Sequence, residues 1–133
     1  MGKTVVEACP CGLPDFAKCC GSFISGQQLP VTAEQLMRSR YSAYTLADEA
    51  YLRASWHAST RPVDAIVHDD GAKWLGLDVK RHVQHGDEAT VEFVARYRID
   101  GRAHRMHEVS RFLREDGKWY YVDGTFPEKS KEK

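Results

Sequence analysis

Every cysteine of the chain lies in one run, CPCGLPDFAKCCG at 9–21: Cys9, Cys11, Cys19 and Cys20. The spacing is C-x-C, seven residues, then C-C. Four soft ligands brought to one point are what a tetrahedral zinc site requires. Cys9 and Cys11, one residue apart, send both sulfurs the same way from a tight turn stiffened by Pro10. Gly12 and Gly21 let the backbone approach, where an N–H can donate to a thiolate. Such donors, with Lys18, offset the negative charge of four thiolates on one divalent ion. The alternatives are two disulfides or four free thiols. Adjacent Cys19 and Cys20 bridge only through a strained ring. A structural zinc site contributes roughly 10–16 kcal/mol of apparent binding, against about 2–4 for a disulfide. No ligand position is left open, so the spacing points to structural Zn2+ and not to a hydrolytic centre.

A second set of reactive groups lies toward the other end: Glu108, Ser110 and Asp123, with His57 beside Trp56 in the middle of the chain. What they can do depends on which way they face, and that is set by the elements that carry them. Residues 1–22 form the expected knuckle, and the Gly, Ser and Pro of 23–31 read as a linker. An α+β body is expected over 32–127, with a polar tail at 128–133. Thr32 and Gln35 make a capping box that opens a helix to about Ala47. Leu36, Arg40, Ala43, Tyr44 and Ala47 share its stripe, which Met37 and Tyr41 widen. Asp48 caps a second helix carrying Tyr51, Leu52 and Trp56, and Pro62 stops it.

From Trp74 the apolar period becomes two. Leu75, Leu77 and Val79 alternate, then Val91, Phe93, Ala95 and Tyr97, then AHRMHEVSRFLR and KWYYVDG follow. HGDE and the Asp-Gly pairs at 100–101 and 116–117 mark the turns. Helices followed by a meander of at least four antiparallel strands predict helices packed on one sheet face. A two-residue turn at Asp100-Gly101 pairs Phe93 with Glu108. The inner face then continues through His104, Met106, Glu108, Ser110 and Phe112 to Trp119, Tyr121 and Asp123, while His107 faces outward. Keeping Val79 beside Phe93 calls for an odd-length loop at Gly86-Asp87. Glu108 on the core side has two readings. Either Arg40 pairs with it structurally, or it is a pocket acid or base with a raised pKa.

Nineteen basic residues balance nineteen acidic ones, so the chain carries no built-in attraction for nucleic acid. No apolar run is long enough to span a bilayer, which argues against a membrane role. The start has neither signal-peptide character nor a good myristoylation pattern, so the cytoplasm is the expected compartment.

The run CPCG…CCG resembles a SEC-C motif, a small zinc module in which Cys20 stands where His is frequent. The rest resembles the YchJ-like family of bacterial proteins. LMRSRYSAY at 36–44, YLRASWHASTRP at 51–62, VEFVARYRIDG at 91–101, HEVSRF at 107–112 and GKWYYVDG at 117–124 carry the likeness. It implies a nuclear-transport-factor-2-like (cystatin-like) cone, in which helices wrap a curved antiparallel sheet. Related SEC-C knuckles dock proteins, which implies a protein partner at the knuckle, and the cone fold implies a ligand in its interior and a homodimer through the open sheet face. By analogy with isomerases, dehydratases and hydrolases of this fold, Glu108 is the candidate catalytic acid or base. Tyr41, Tyr44, Trp74 and Tyr97 would then shape its pocket with Ser110, and Arg40 would orient Glu108 or an anionic substrate. Trp56 and His57 would sit at the mouth.

Overall fold

The structure is a computed structural model that describes residues 8–67 and 71–127. The polar tail expected at 128–133 lies outside them. A 3-10 turn at Phe16–Lys18 leads into α1 (Cys20–Ile24), α2 (Ala33–Thr45) and α3 (Glu49–Ala54). Four long strands follow: β1 (Lys73–His85), β2 (Glu88–Ile99), β3 (Arg102–Glu115) and β4 (Lys118–Thr125). They form one antiparallel sheet in the order β1-β2-β3-β4, a pure meander. Among the described residues, no helix is long and apolar enough to cross a membrane.

The helix starts follow the predicted caps. The Thr32 hydroxyl accepts from the Gln35 N–H at 3.1 Å, and Gln35 Oε1 reaches back to the Val31 N–H at 2.8 Å. Asp48 accepts from the Tyr51 N–H. α2 stops at Thr45, two residues short of expectation, because Ala47 already has φ 56. The second helix ends at Ala54, before Trp56. Ser55 to His57 instead lie along β4, with Tyr121 N–H donating to Ser55 O and His57 N–H donating to Tyr121 O.

The central hairpin has the predicted register, with Ile99 opposite Arg102 and Phe93 opposite Glu108. Its turn residues Asp100 and Gly101 both take positive φ, the two-residue geometry that matches strand twist. Three expectations are corrected by β-bulges. The loop at Gly86-Asp87 has two residues, since His85 pairs with Glu88. Val79 still meets Phe93 because the register shifts between Val79 and Arg81. A second shift, between Trp74 and Gly76, leaves Leu75 45% exposed, and Trp74 turns inward in its place. The third shift lies between Arg111 and Phe112, opposite which β4 accommodates Val122 as the extra residue. This reverses the parity of everything after Val122. Asp123 therefore points outward and forms an ion pair with Arg111 at 2.6 Å. Gly124 takes the inward position opposite Ser110. A bulge inserts one residue and re-aims the side chains beyond it.

The core lies between α2 and the concave side of the sheet. Leu36, Met37 and Tyr41 of α2 pack with Val91, Phe93, Ala95, Phe112 and Trp119. Cys9, Cys11 and Cys20 belong to the same cluster. The cysteine run is therefore docked into the body, and α1 runs through the expected boundary at residue 22.

Candidate metal centre and cone cavity

The four cysteine sulfurs all lie within 4.8 Å of one another. Cys11 Sγ and Cys19 Sγ are 3.7 Å apart, Cys19 Sγ and Cys20 Sγ 3.9 Å. Both separations are far beyond a disulfide bond. A tetrahedron of Zn–S bonds near 2.3 Å has an edge of about 3.8 Å, so the sulfurs fit a zinc ion. The thiols crowd one another. Cys11 is held down to about 5, first by hydrogen bonding from Cys20 and against the pull of burial. Cys19 is pushed up to about 12 by burial and by Cys11, and Cys20 is pushed up by Cys11 and burial. One thiolate thus suppresses its neighbours, and only a bound cation lets all four ionise together.

A backbone N–H does serve a sulfur, that of Leu13 at Cys11, but it comes from a different residue than expected. The Gly12 N–H donates to Cys9 O at 3.0 Å and not to a sulfur. Lys18 is exposed and reaches Asp15 at 4.0 Å. The nearby cation is Arg38 of α2, whose Nη1 donates to Cys11 O at 3.0 Å. Ser42, one turn further along α2, places Oγ 3.5 Å from Cys9 Sγ. Gly21 is needed for close approach: a Cβ there would lie 2.7 Å from Phe16 O and 2.9 Å from its ring.

On its other side α2 helps to wall a cavity of about 310 Å3. Met37, Arg40, Tyr41 and Tyr44 line it from the helix, and Trp74, Phe93 and Ala95 from β1 and β2. β3 supplies Met106, Glu108, Ser110 and Phe112, and the β4 end supplies Tyr121 and Phe126. An apolar cavity of about 150 Å3 is enough to hold benzene, so this one has room for a small organic molecule. Of the residues singled out in the sequence, Arg40, Tyr41, Tyr44, Trp74, Glu108 and Ser110 meet here. Trp56, His57 and Tyr97 stand behind the lining. Trp56 packs edge-on against Tyr121 at 4.9 Å, and Tyr97 backs Trp74 at 5.4 Å. His57 Nδ1 accepts from the Ser59 N–H at 3.1 Å, which leaves the proton on Nε2 to donate to Glu115 at 2.7 Å. That arrangement fastens a surface turn to the β3–β4 hairpin.

Glu108 is 7% exposed and does not pair directly with Arg40. The Ser110 hydroxyl donates to Glu108 Oε2 at 2.7 Å and the Tyr121 hydroxyl donates to the same oxygen at 3.2 Å. Among the described residues, Oε1 has no hydrogen-bond partner. Burial raises the Glu108 pKa above the ordinary 4.5; Ser110, Tyr121 and Arg40 pull against it and Asp123 adds to it. Arg40 is 5% exposed and spends Nη1 on Leu52 O at 2.8 Å and Ser55 Oγ at 2.7 Å. Its guanidinium lies 4.4 Å from the Tyr121 ring centre and 5.1 Å from that of Trp56. Gly124, which the sequence reading did not single out, is what admits Glu108, since a Cβ there would overlap the carboxylate. Only the parity of the β4 bulge reveals this, and no local pattern announces it. Phe126 was missed because it follows the last strand.

The direction of the Glu108 shift predicts a pH effect. A carboxyl whose pKa is raised on folding holds its proton more tightly in the native state. The penalty for ionising it is absent well below 4.5, grows as pH rises through the unfolded and then the folded value, and is constant above. The stability of Glu108→Gln minus that of wild type is therefore expected to increase with pH across that window. Urea unfolding from pH 4 to pH 8 measures it, and a pH-independent difference would contradict a raised native pKa.

Comparison with known proteins adds three findings. The family model for the middle, nuclear-transport-factor-2-like domain of YchJ matches residues 32–124. UPF0225 proteins of Ralstonia nicotianae and Cupriavidus metallidurans are 57% and 56% identical, covering 88% and 90% of this chain and 90% and 89% of their own. The solution structure of RPA3114, a SEC-C motif containing protein from Rhodopseudomonas palustris, superposes with a TM-score of 0.80 at 31% identity, over 92% of this chain and 98% of that one. A crystal structure of a SEC-C motif containing protein from Psychrobacter arcticus gives 0.75 at 25% identity, over 91% and 83%.

Proposed function

Since the chain belongs to the YchJ-like family, with a SEC-C cysteine motif and a nuclear-transport-factor-2-like domain, we propose that it binds a small molecule in the cone cavity and carries a structural zinc ion in the knuckle. The observation that carries this is a cavity of about 310 Å3 with mostly aromatic walls and two buried ionisable groups that do not pair with each other. A core that needed only stability would fill this space or close the pair. Concave, mostly apolar sites with a few convergent polar groups are where small ligands bind. The knuckle's part is to brace α2, which supplies four of the lining residues.

Filling the cavity tests the reading. Ala95 is 1% exposed and lines the space, so Ala95→Phe is expected to weaken binding of small aromatic probes at least tenfold while the fold persists. Ligand-observed NMR on wild type and variant measures this. Unchanged binding in a folded variant would remove the cavity as the site.

A second reading is favoured by one specific feature, the free Oε1 of a carboxyl whose pKa is raised. Catalytic acids and bases are poised in this way. In that reading Glu108 moves a proton on the bound molecule, and Glu108→Gln keeps binding while abolishing turnover.

A further inference from the structure

The cavity's charges define the ligand more narrowly than its size does. Arg40 is almost wholly buried, yet both of its hydrogen bonds go to uncharged acceptors, the Leu52 carbonyl and the Ser55 hydroxyl. Among the described residues it forms no ion pair. The Tyr121 and Trp56 rings lie against it, but a buried cation without a counter-charge still costs several kcal/mol. Both of these bonds use Nη1, which leaves the edge formed by Nε and Nη2 facing at most the neutral Tyr44 hydroxyl. That edge is the fork that binds carboxylates bidentately. Glu108 lines the same space with Oε2 occupied by two hydroxyl donors and Oε1 free.

We propose that the cavity takes up a compact apolar monocarboxylic acid, whose carboxylate accepts from Arg40 and shares one proton with Glu108 Oε1. The inference rests on the cavity being a ligand site. Charge balances only in this form. The guanidinium contributes one positive charge, and two carboxyl groups holding one proton between them contribute one negative charge. A carboxylate entering beside an ionised Glu108 leaves an excess negative charge in a dry site, so the anion brings its proton or Glu108 takes one from solvent. The other groups facing Glu108 do not supply that proton. Ser110 on β3 and Tyr121 on β4 already donate to Oε2. Tyr44 on α2 is driven further toward its neutral form by burial. Asp123 on β4 is turned outward onto Arg111. The aromatic walls, with Tyr41 edge-on to Trp74 at 5.7 Å, receive the apolar remainder. The volume limits that remainder to a ring or a short chain.

Benzoate and its neutral isostere benzamide test this on the full-length, zinc-loaded protein by calorimetry at pH 7.5 in two buffers of different ionisation heat. Benzoate is expected to bind at least tenfold more tightly than benzamide, with proton uptake approaching one per site at benzoate and none at benzamide. Arg40→Gln should erase the preference, and Arg40→Lys should keep part of it. Because Arg40 variants can lose stability, the wild-type pair decides on its own. Equal binding of the two probes overturns the carboxylate class and leaves the cavity as a ligand site. Because a Glu108 already protonated in the free protein takes up nothing, the uptake is followed from pH 5.5 to pH 9, and tight benzoate binding without uptake across that whole range overturns the shared proton. If neither probe binds and Ala95→Phe changes nothing, both the ligand class and the cavity reading fall.

Discussion

Cys20→Ser is expected to destabilise the protein by more than about 4 kcal/mol, a loss on the scale of the whole folding free energy of a small domain. Cys20 is 0% exposed, and its sulfur lies among those of Cys9, Cys11 and Cys19 inside the cluster that also holds Leu36 and Met37. Serine removes a soft ligand, and the metal contribution of roughly 10–16 kcal/mol falls away with it. The three remaining thiols then stay crowded against α2 without a counter-ion. Zinc content by elemental mass spectrometry should fall from one per chain to near zero. The urea midpoint, followed by fluorescence of the buried Trp119, should drop sharply. A strong chelator should reproduce the effect in wild type and add little to the variant. Full stability in both cases would mean that the sulfurs hold no structural metal.

Gly124→Ala is expected to cost about 2–4 kcal/mol, a large penalty for one methyl group. The new Cβ would overlap the carboxylate of Glu108, and it would also lie 2.7 Å from Cδ and 2.9 Å from Cγ. Movement of the tip alone cannot relieve contact with the stem, so the side chain has to leave its seat. The hydrogen bonds from Ser110 and Tyr121 go with it. In a Glu108→Ala background the same methyl enters vacated space, and its cost should fall below about 1 kcal/mol. Unfolding free energies of the four proteins close the cycle. An equal cost in both backgrounds would locate the strain in the backbone and not at the carboxylate.

Much of this fold was legible because each element carries its own signal. Thr32 and Gln35 announce the start of α2, and Asp100-Gly101 fixes the register that sets Glu108 opposite Phe93. The cysteine run declares itself by residue type alone. What was not legible depends on bulges, which change parity without a sequence signature. Leu75 and Asp123 read as inward by strict alternation and point outward once Trp74–Gly76 and Val122 are accommodated. The expected Arg40–Glu108 ion pair failed for a related reason. The stripe on α2 correctly placed Arg40 in the core, but not the carbonyl of Leu52 near the end of α3, which claims its Nη1. Which of several buried acceptors a guanidinium meets is a matter of tertiary geometry to within an ångström or two.

α2 has no idle side. Arg38 and Ser42 touch the cysteine loop, while Met37, Arg40, Tyr41 and Tyr44 wall the cavity. Two sites that share one rigid wall share an account of its position, and thermodynamic linkage makes that account symmetric. By whatever factor metal occupancy changes the affinity of the cone, an occupied cone changes the affinity of the sulfurs by the same factor. Where that factor differs from one, metal retention measured against a competing chelator becomes an assay for cone ligands that needs neither a substrate nor a known reaction.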